Sequence, residues 1–155
     1  MAGLAAETRE LELLLRQINH LMNHYTRTYL SGRGLTMARF WVLSNLAVDK
    51  PITMGELQRR LFLAPATLTG LVDGLVEEKL VRRWRDDNDR RLVFLALTPA
   101  GEEFVSEILH YRSSVLAKAL ANRDDINLEQ LNAFLQLLLT NLRYLCPYLR
   151  SPEAC

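Results

Sequence analysis

Leu80-Val81-Arg82-Arg83-Trp84-Arg85, Asp86-Asp87-Asn88-Asp89-Arg90 and Arg91-Leu92-Val93-Phe94-Leu95-Ala96-Leu97 follow one another without a gap, and their reading decides the fold. The outer runs are rich in branched and aromatic side chains, which suit a pleated, half-buried surface. The run between them is rich in Asp and Asn, whose side chains bond nearby backbone N–H groups and favour a turn. Together they read as a β-hairpin with cations on its shoulders. Thr98-Pro99 then supplies a cap and a first helical residue, and so starts a helix.

Two short helices precede the hairpin. Thr53-Met54-Gly55-Glu56 has the spacing of a capping box, in which Thr53 and Glu56 satisfy each other's orphan amides. Leu57 and Leu61 fall on one face of the helix it opens. After Phe62-Leu63-Ala64, Pro65 suits a first helical position because its missing N–H has no partner there. Leu68, Leu71, Val72 and Leu75 form an inward stripe at helical spacing. Thr67, Gly70 and Gly74 are spaced to share the other face and leave it nearly bare, able to approach a groove floor closely. Helix, turn, helix and hairpin make a winged helix-turn-helix with a two-stranded wing. The fold class is mainly α, formally α+β.

Asp89-Arg90-Arg91-Leu92-Val93-Phe94-Leu95-Ala96-Leu97-Thr98 fits the Asp-x-Arg-x-x-x-Leu-x-Leu-Thr signature of the MarR family of transcriptional regulators. Thr67-Leu68-Thr69 and Leu71-Val72-Asp73 resemble that family's recognition helix, and Leu80-Val81 the entry to its first wing strand. The resemblance implies double-stranded DNA as the partner, with the recognition helix in the major groove and a wing arginine, steadied by an aspartate, in the minor groove. By motif these roles fall on Thr67 and Thr69, on Arg91 and on Asp89. Gly70 lies on the bare helix surface, and Arg82, Arg85 and Arg90 are further wing cations suited to phosphate. Thr67 is weighed against plain helix surface and Thr69 against a buried position. The chain departs from the family at Ala64, where a serine cap is usual, at Gly70 and Gly74, where polar or basic residues are frequent, and at Lys79, where a glycine usually ends the recognition helix. Losing long polar side chains removes bidentate base readers, so specificity is expected to lean on thymine methyls, backbone contacts and DNA shape.

The flanks are helical. Leu11, Leu14, Leu15, Ile18, Leu21, Met22 and Tyr25 recur at three- and four-residue intervals and predict an amphipathic helix over 5–30, broken by Ser31-Gly32-Arg33-Gly34. Thr36 caps a second helix carrying Phe40, Trp41, Leu43 and Leu46 and ended by Asp49-Lys50-Pro51. Beyond the hairpin a helix runs over 99–121 to the break at Asn122-Arg123-Asp124-Asp125, and a last one over 127–145 carries Leu128, Leu131, Phe134, Leu135, Leu138, Leu139, Leu142 and Leu145. That exceeds the apolar surface one face needs against its own domain. The expected organisation is therefore one domain over 1–155, with a DNA-binding lobe at 36–98 and dimerisation helices at 5–30 and 99–147. A homodimer would hold two recognition helices about one DNA turn, ~34 Å, or a near multiple apart, and would read a pseudo-palindromic operator. The resemblance further implies a ligand-responsive repressor with a small aromatic or amphipathic effector bound between bundle and lobe. Tyr25, Arg39, Trp41, Tyr111 and Arg112 are residue types that suit such a site, each weighed against a place in the core.

A net charge of +1 does not announce nucleic acid. The cations instead cluster through Lys79, Arg82, Arg83, Arg85, Arg90 and Arg91, and such local clustering beside a helix-turn-helix points to DNA. A winged-helix module that meets protein is the alternative. No secretory leader and no membrane-spanning run stand out, so a cytoplasmic protein is expected. Two cysteines, Cys146 and Cys155, are too few and too late for a disulfide framework, and Cys146 is expected to be a bystander thiol. His20 and His24 at i, i+4, with His110 elsewhere, are better explained by polar helix faces than by metal. With no nucleophile constellation and no carboxylate at zincin spacing, neither enzyme chemistry nor a cofactor is expected.

Overall fold

The computed structural model describes residues 2–121 and 126–145. The break at Asn122–Asp125 and both cysteines therefore lie outside the described residues. The elements run α1 (Ala2–Ser31), α2 (Met37–Leu43), β1 (Ile52–Thr53), α3 (Met54–Leu61), α4 (Pro65–Glu77), β2 (Val81–Arg85), β3 (Val93–Leu97), α5 (Pro99–Leu120) and α6 (Leu128–Leu145). Contacts divide the chain into two compact units, residues 1–115 and 116–155.

The first unit is built around one apolar core. Leu30, Phe40, Val42, Leu43, Leu57, Leu68, Val72, Leu75, Val81, Leu95, Leu97 and Ile108 come together there from both ends of the unit and from the hairpin. The expected inward stripe of α4 is real: Leu68, Val72 and Leu75 are buried and Leu71 half-buried. Four local expectations need correcting. Helix α2 ends at Leu43, and Leu46 reaches the core from the following turn. The capping box is only half made: Thr53 Oγ1 accepts from the Glu56 N–H at 3.2 Å, but Glu56 Oε1 turns to Arg60 Nη2 at 2.6 Å, an i, i+4 partner within the same helix. Arg91 and Leu92 belong to the turn, so β3 begins at Val93. Ile52 and Thr53 form a third strand, giving an antiparallel sheet in the order β1-β3-β2.

The hairpin register pairs Val81 with Leu97, Arg83 with Leu95 and Arg85 with Val93, alternating with Arg82 opposite Ala96 and Trp84 opposite Phe94. Successive side chains leave opposite faces of a strand. Arg83 and Arg85 thus share the face of buried Val81, while Arg82 and Trp84 share the other.

One junction ties α4, the wing and α5 together. Helix α4 runs out through Lys79 at φ 60°, a left-handed conformation on a residue with a Cβ, in the place where glycine is the low-strain choice. Thr98 Oγ1 donates to the Lys79 carbonyl at 2.7 Å and accepts from the Gly101 N–H at 3.1 Å, while the Thr98 N–H donates to the Leu80 carbonyl at 3.1 Å. Gly101 is pressed so close that a Cβ would lie 2.0 Å from the Leu80 carbonyl oxygen.

In the second unit the Asn127 side chain caps α6, accepting from the Gln130 N–H at 3.0 Å. No residue of α6 is buried, and Leu131, Phe134, Leu135, Leu139 and Leu142 are all exposed. Among the described residues no helix is long and apolar enough to cross a membrane.

The junction yields a paired expectation. Gly101→Ala should lower unfolding stability by about 1–3 kcal/mol, because the clash is with backbone that cannot rotate away. Lys79→Gly should raise it by up to about 1 kcal/mol by relieving left-handed strain. Urea unfolding of the two variants beside the parent reads both signs.

Candidate nucleic-acid interface

The helix-turn-helix starts with a strained corner. Phe62, which ends α3, is left-handed at φ 53°, and the N-cap of α4, Ala64, makes no side-chain cap hydrogen bond. The outward surface of α4 differs from the one spacing suggested. Ala66, Thr67, Thr69 and Gly70 are exposed, and Asp73 is half-buried one turn further on. Thr69 is not buried; its hydroxyl donates back to the Pro65 carbonyl at 2.9 Å. Gly74 does not belong to the bare face, because the Arg39 guanidinium of α2 lies against it, 2.8 Å from where a Cβ would be. Gly70 has nothing within 4 Å of that position and is open.

The wing sorts its cations into engaged and free. Arg83 Nη1 pairs with Asp73 Oδ1 at 2.5 Å, tying β2 to α4 and neutralising an acid on that helix. Arg82 Nη2 donates to the Val48 carbonyl at 3.0 Å, and its guanidinium lies 4.9 Å over the Trp84 ring, which stacks in turn on Phe94 at 5.9 Å. Arg85, Arg90 and Arg91 are exposed, and their side chains have no hydrogen-bond or ion-pair partner among the described residues. Arg85 shares an open depression of about 540 Å³ with Met54, Thr69, Asp73, Arg83 and Trp84, between α4 and the hairpin.

The wing tip is held by acids accepting backbone N–H groups. Asp89 Oδ1 accepts from the Arg91 N–H at 3.0 Å, so it sets the chain at Arg91 and does not pair with its side chain. Asp86 carries more of the turn than the sequence suggested. Its Oδ1 accepts from the N–H groups of Asn88 and Asp89, both at 2.8 Å, and its own N–H donates to the Leu92 carbonyl at 3.0 Å. The Asx-turn pattern, an Asp two residues before the amide it holds, was the available signal.

The effector-type residues have defined places. Arg39 pairs with Glu78 at 2.7 Å, and Tyr111 stacks on Tyr29 at 4.3 Å. Arg112 donates to Thr26 Oγ1 and to the Met22 carbonyl and lies 5.9 Å from the Phe40 ring, its pKa lowered by burial. Tyr25 and Trp41 are exposed. Arg33 sits over the Tyr29 ring and bonds Glu107, which raises its pKa. No three His, Cys, Asp or Glu among the described residues converge in a way that could hold a metal.

A helix-turn-helix followed by a two-stranded cationic hairpin is a winged-helix arrangement. Residues 33–92 match the model of the MarR family. The HTH-type transcriptional repressor YetL of Bacillus subtilis (strain 168) is 32% identical over 139 residues, 88% of this chain and 81% of that protein. A MarR family protein from Bacillus stearothermophilus superposes with a TM-score of 0.73 at 30% identity, covering 91% of this chain and 96% of that one. Apo wild-type MarR from E. coli superposes with a TM-score of 0.66 at 27% identity, covering 85% and 95%. The chain belongs to the MarR family of transcriptional regulators, which are not enzymes.

Removing the Asp86 acceptor should expose the wing turn. Asp86→Ala is expected to cost about 1 kcal/mol, the scale of an exposed hydrogen-bonded turn. Amide exchange should speed up at Asn88 and Asp89 while the core amides of α4 keep their protection.

Proposed function

We propose that the chain is a homodimeric, ligand-responsive repressor that reads a pseudo-palindromic operator, working in the cytoplasm. The supporting observation is the partition of the wing cations. Arg82 and Arg83 are spent on Val48, Trp84 and Asp73, whereas Arg85, Arg90 and Arg91 stand free on the side and tip of the hairpin. In this reading α4 enters the major groove with Ala66, Thr69 and Gly70 leading, and Thr67 at its flank. Arg91, on a backbone set by Asp89, enters the minor groove, where a narrow A·T tract offers the deepest negative potential. Arg85 and Arg90 meet phosphate, and Arg82 does so only by giving up its stack on Trp84. The leading face is methyls and glycine, so discrimination rests on thymine methyls, backbone fit and DNA shape.

The second copy covers the exposed leucines. Ile18 and Leu21 of α1 and Leu135, Leu139 and Leu142 of α6 are exposed at 40–56% in the single chain, more apolar surface than a monomer usually leaves open. The domain limits in this reading are a lobe over 36–98 and dimerisation helices over 5–30 and 99–147, within one functional domain of 1–155. The effector is a small aromatic or amphipathic anion. Arg112 is the best-placed cation for it, because its hydrogen-bond partners are neutral oxygens.

Arg91→Ala should weaken binding to a selected operator at least about tenfold, the low end of losing a specific contact in each half-site, without a change in Tm. Arg85→Ala should weaken operator and random duplex alike and reduce the salt slope by ~0.9 per lost phosphate. Anisotropy over a salt series separates them, and wild-type affinity in Arg91→Ala would sink the minor-groove role and favour a protein partner.

Leu135→Asp tests the dimer. In a monomer this exposed site should tolerate the charge within about 0.5 kcal/mol, whereas in an apolar interface an unpaired carboxylate costs several kcal/mol. Sedimentation should show the dimer lost, and an unchanged dimer would remove α6 from the interface.

A further inference from the structure

The Arg39 side chain, on the short helix α2, is largely covered, 17% exposed. Its Nη2 reaches Glu78 Oε1 at 2.7 Å, at the C-cap of α4. On the way the guanidinium crosses Gly74. A Cβ built there would stand 2.8 Å from Nη2, 3.6 Å from Cζ and 3.8 Å from Nε, so the guanidinium fills the space a side chain of residue 74 would take. A glycine inside a helix is less favourable than alanine, and here the missing Cβ has an occupant; at Gly70 it has none.

The rest of the α2–α4 contact is apolar, with Phe40, Val42 and Leu43 meeting Leu68, Val72 and Leu75 in one core. Apolar burial holds the two helices together without pairing any polar group of one with a polar group of the other. The guanidinium lodged against Gly74 and ion-paired with Glu78 adds contacts at fixed points on one side of α4. It also places a cation beside Glu78, which otherwise adds negative charge at the negative end of the α4 dipole.

We propose that Arg39 is a positioning residue for the recognition helix: lodged over Gly74 and clamped to Glu78, it sets the rotation of α4 and so the angle at which Thr69 and Gly70 are presented. It does not touch DNA. This rests on the reading of α4 as the groove-entering helix.

The informative variant is Gly74→Ala, because its methyl displaces only the far end of a flexible side chain and improves helix propensity. With the full chain and two fluorescent duplexes, one a selected operator and one random, Gly74→Ala should lose about tenfold in operator affinity while Tm holds or rises. Random-duplex affinity and the salt slope should stay as in the parent, since no phosphate contact is lost. Arg39→Ala should show the same selective loss, and Arg39→Ala with Gly74→Ala should be no worse than Arg39→Ala alone. Operator binding by Gly74→Ala equal to the parent, or losses that add in the double variant, overturns the clamp. A fall in random-duplex affinity and salt slope with Arg39→Ala also overturns it, in favour of a direct phosphate contact. If the parent binds no duplex in a salt-dependent way, the DNA reading fails instead. Thermal melts then judge the clamp alone: Arg39→Ala and Glu78→Gln must be non-additive, and additive melts reject it.

Discussion

The approach of Gly101 to the Leu80 carbonyl is the constraint on which the lobe depends. The chain leaves α4, reverses through a left-handed Lys79, runs out and back as the wing, and must begin α5 within bonding distance of where it left. Thr98 closes this circuit with one hydroxyl, donating to Lys79 and accepting from Gly101. The wing is therefore anchored at both roots to the end of α4. The junction of helix and wing is held by the Thr98 hydrogen bonds and by the close approach that the absence of a Cβ at Gly101 permits.

Charge is used in two ways on this frame. Some cations brace it: Arg83 on Asp73 and Arg39 on Glu78 each link α4 to a neighbouring element, one from the wing and one from α2. The others are left over. Arg85, Arg90 and Arg91 make no such link among the described residues and carry their charge outward. A global charge of +1 conceals this division, because the braced cations cancel acids on the spot while Arg85, Arg90 and Arg91 stand together on one hairpin.

Apolar surface shows a comparable division. The core of the first unit is closed, with Leu30, Leu43, Leu57, Leu75, Leu95 and Ile108 fully buried, whereas α6 buries none of its leucines in a single chain. Both sets follow the same helical periodicity, and periodicity alone does not distinguish a helix that faces its own core from one that waits for a second surface.

The elements themselves were legible in the amino-acid order because their signals are local. Thr36, Thr53 and Thr98 each accept from a backbone N–H three residues on, and Pro65 and Pro99 each open a helix, as their covalent chemistry dictates. The Asp-rich turn and the inward stripe of α4 could be read for the same reason, and the wing signature was enough to suggest the family. What local signals could not decide was which partner a long side chain would choose. Glu56 went to Arg60 and not to the cap, Arg82 to Val48 and Trp84, and Arg39 to the space above Gly74. Spacing assigned Gly74 to an open face, but Arg39, thirty-five positions away in the chain, fills it. Backbone periodicity is set by neighbours in sequence, whereas occupancy of a helix surface is set by whatever the tertiary fold brings against it.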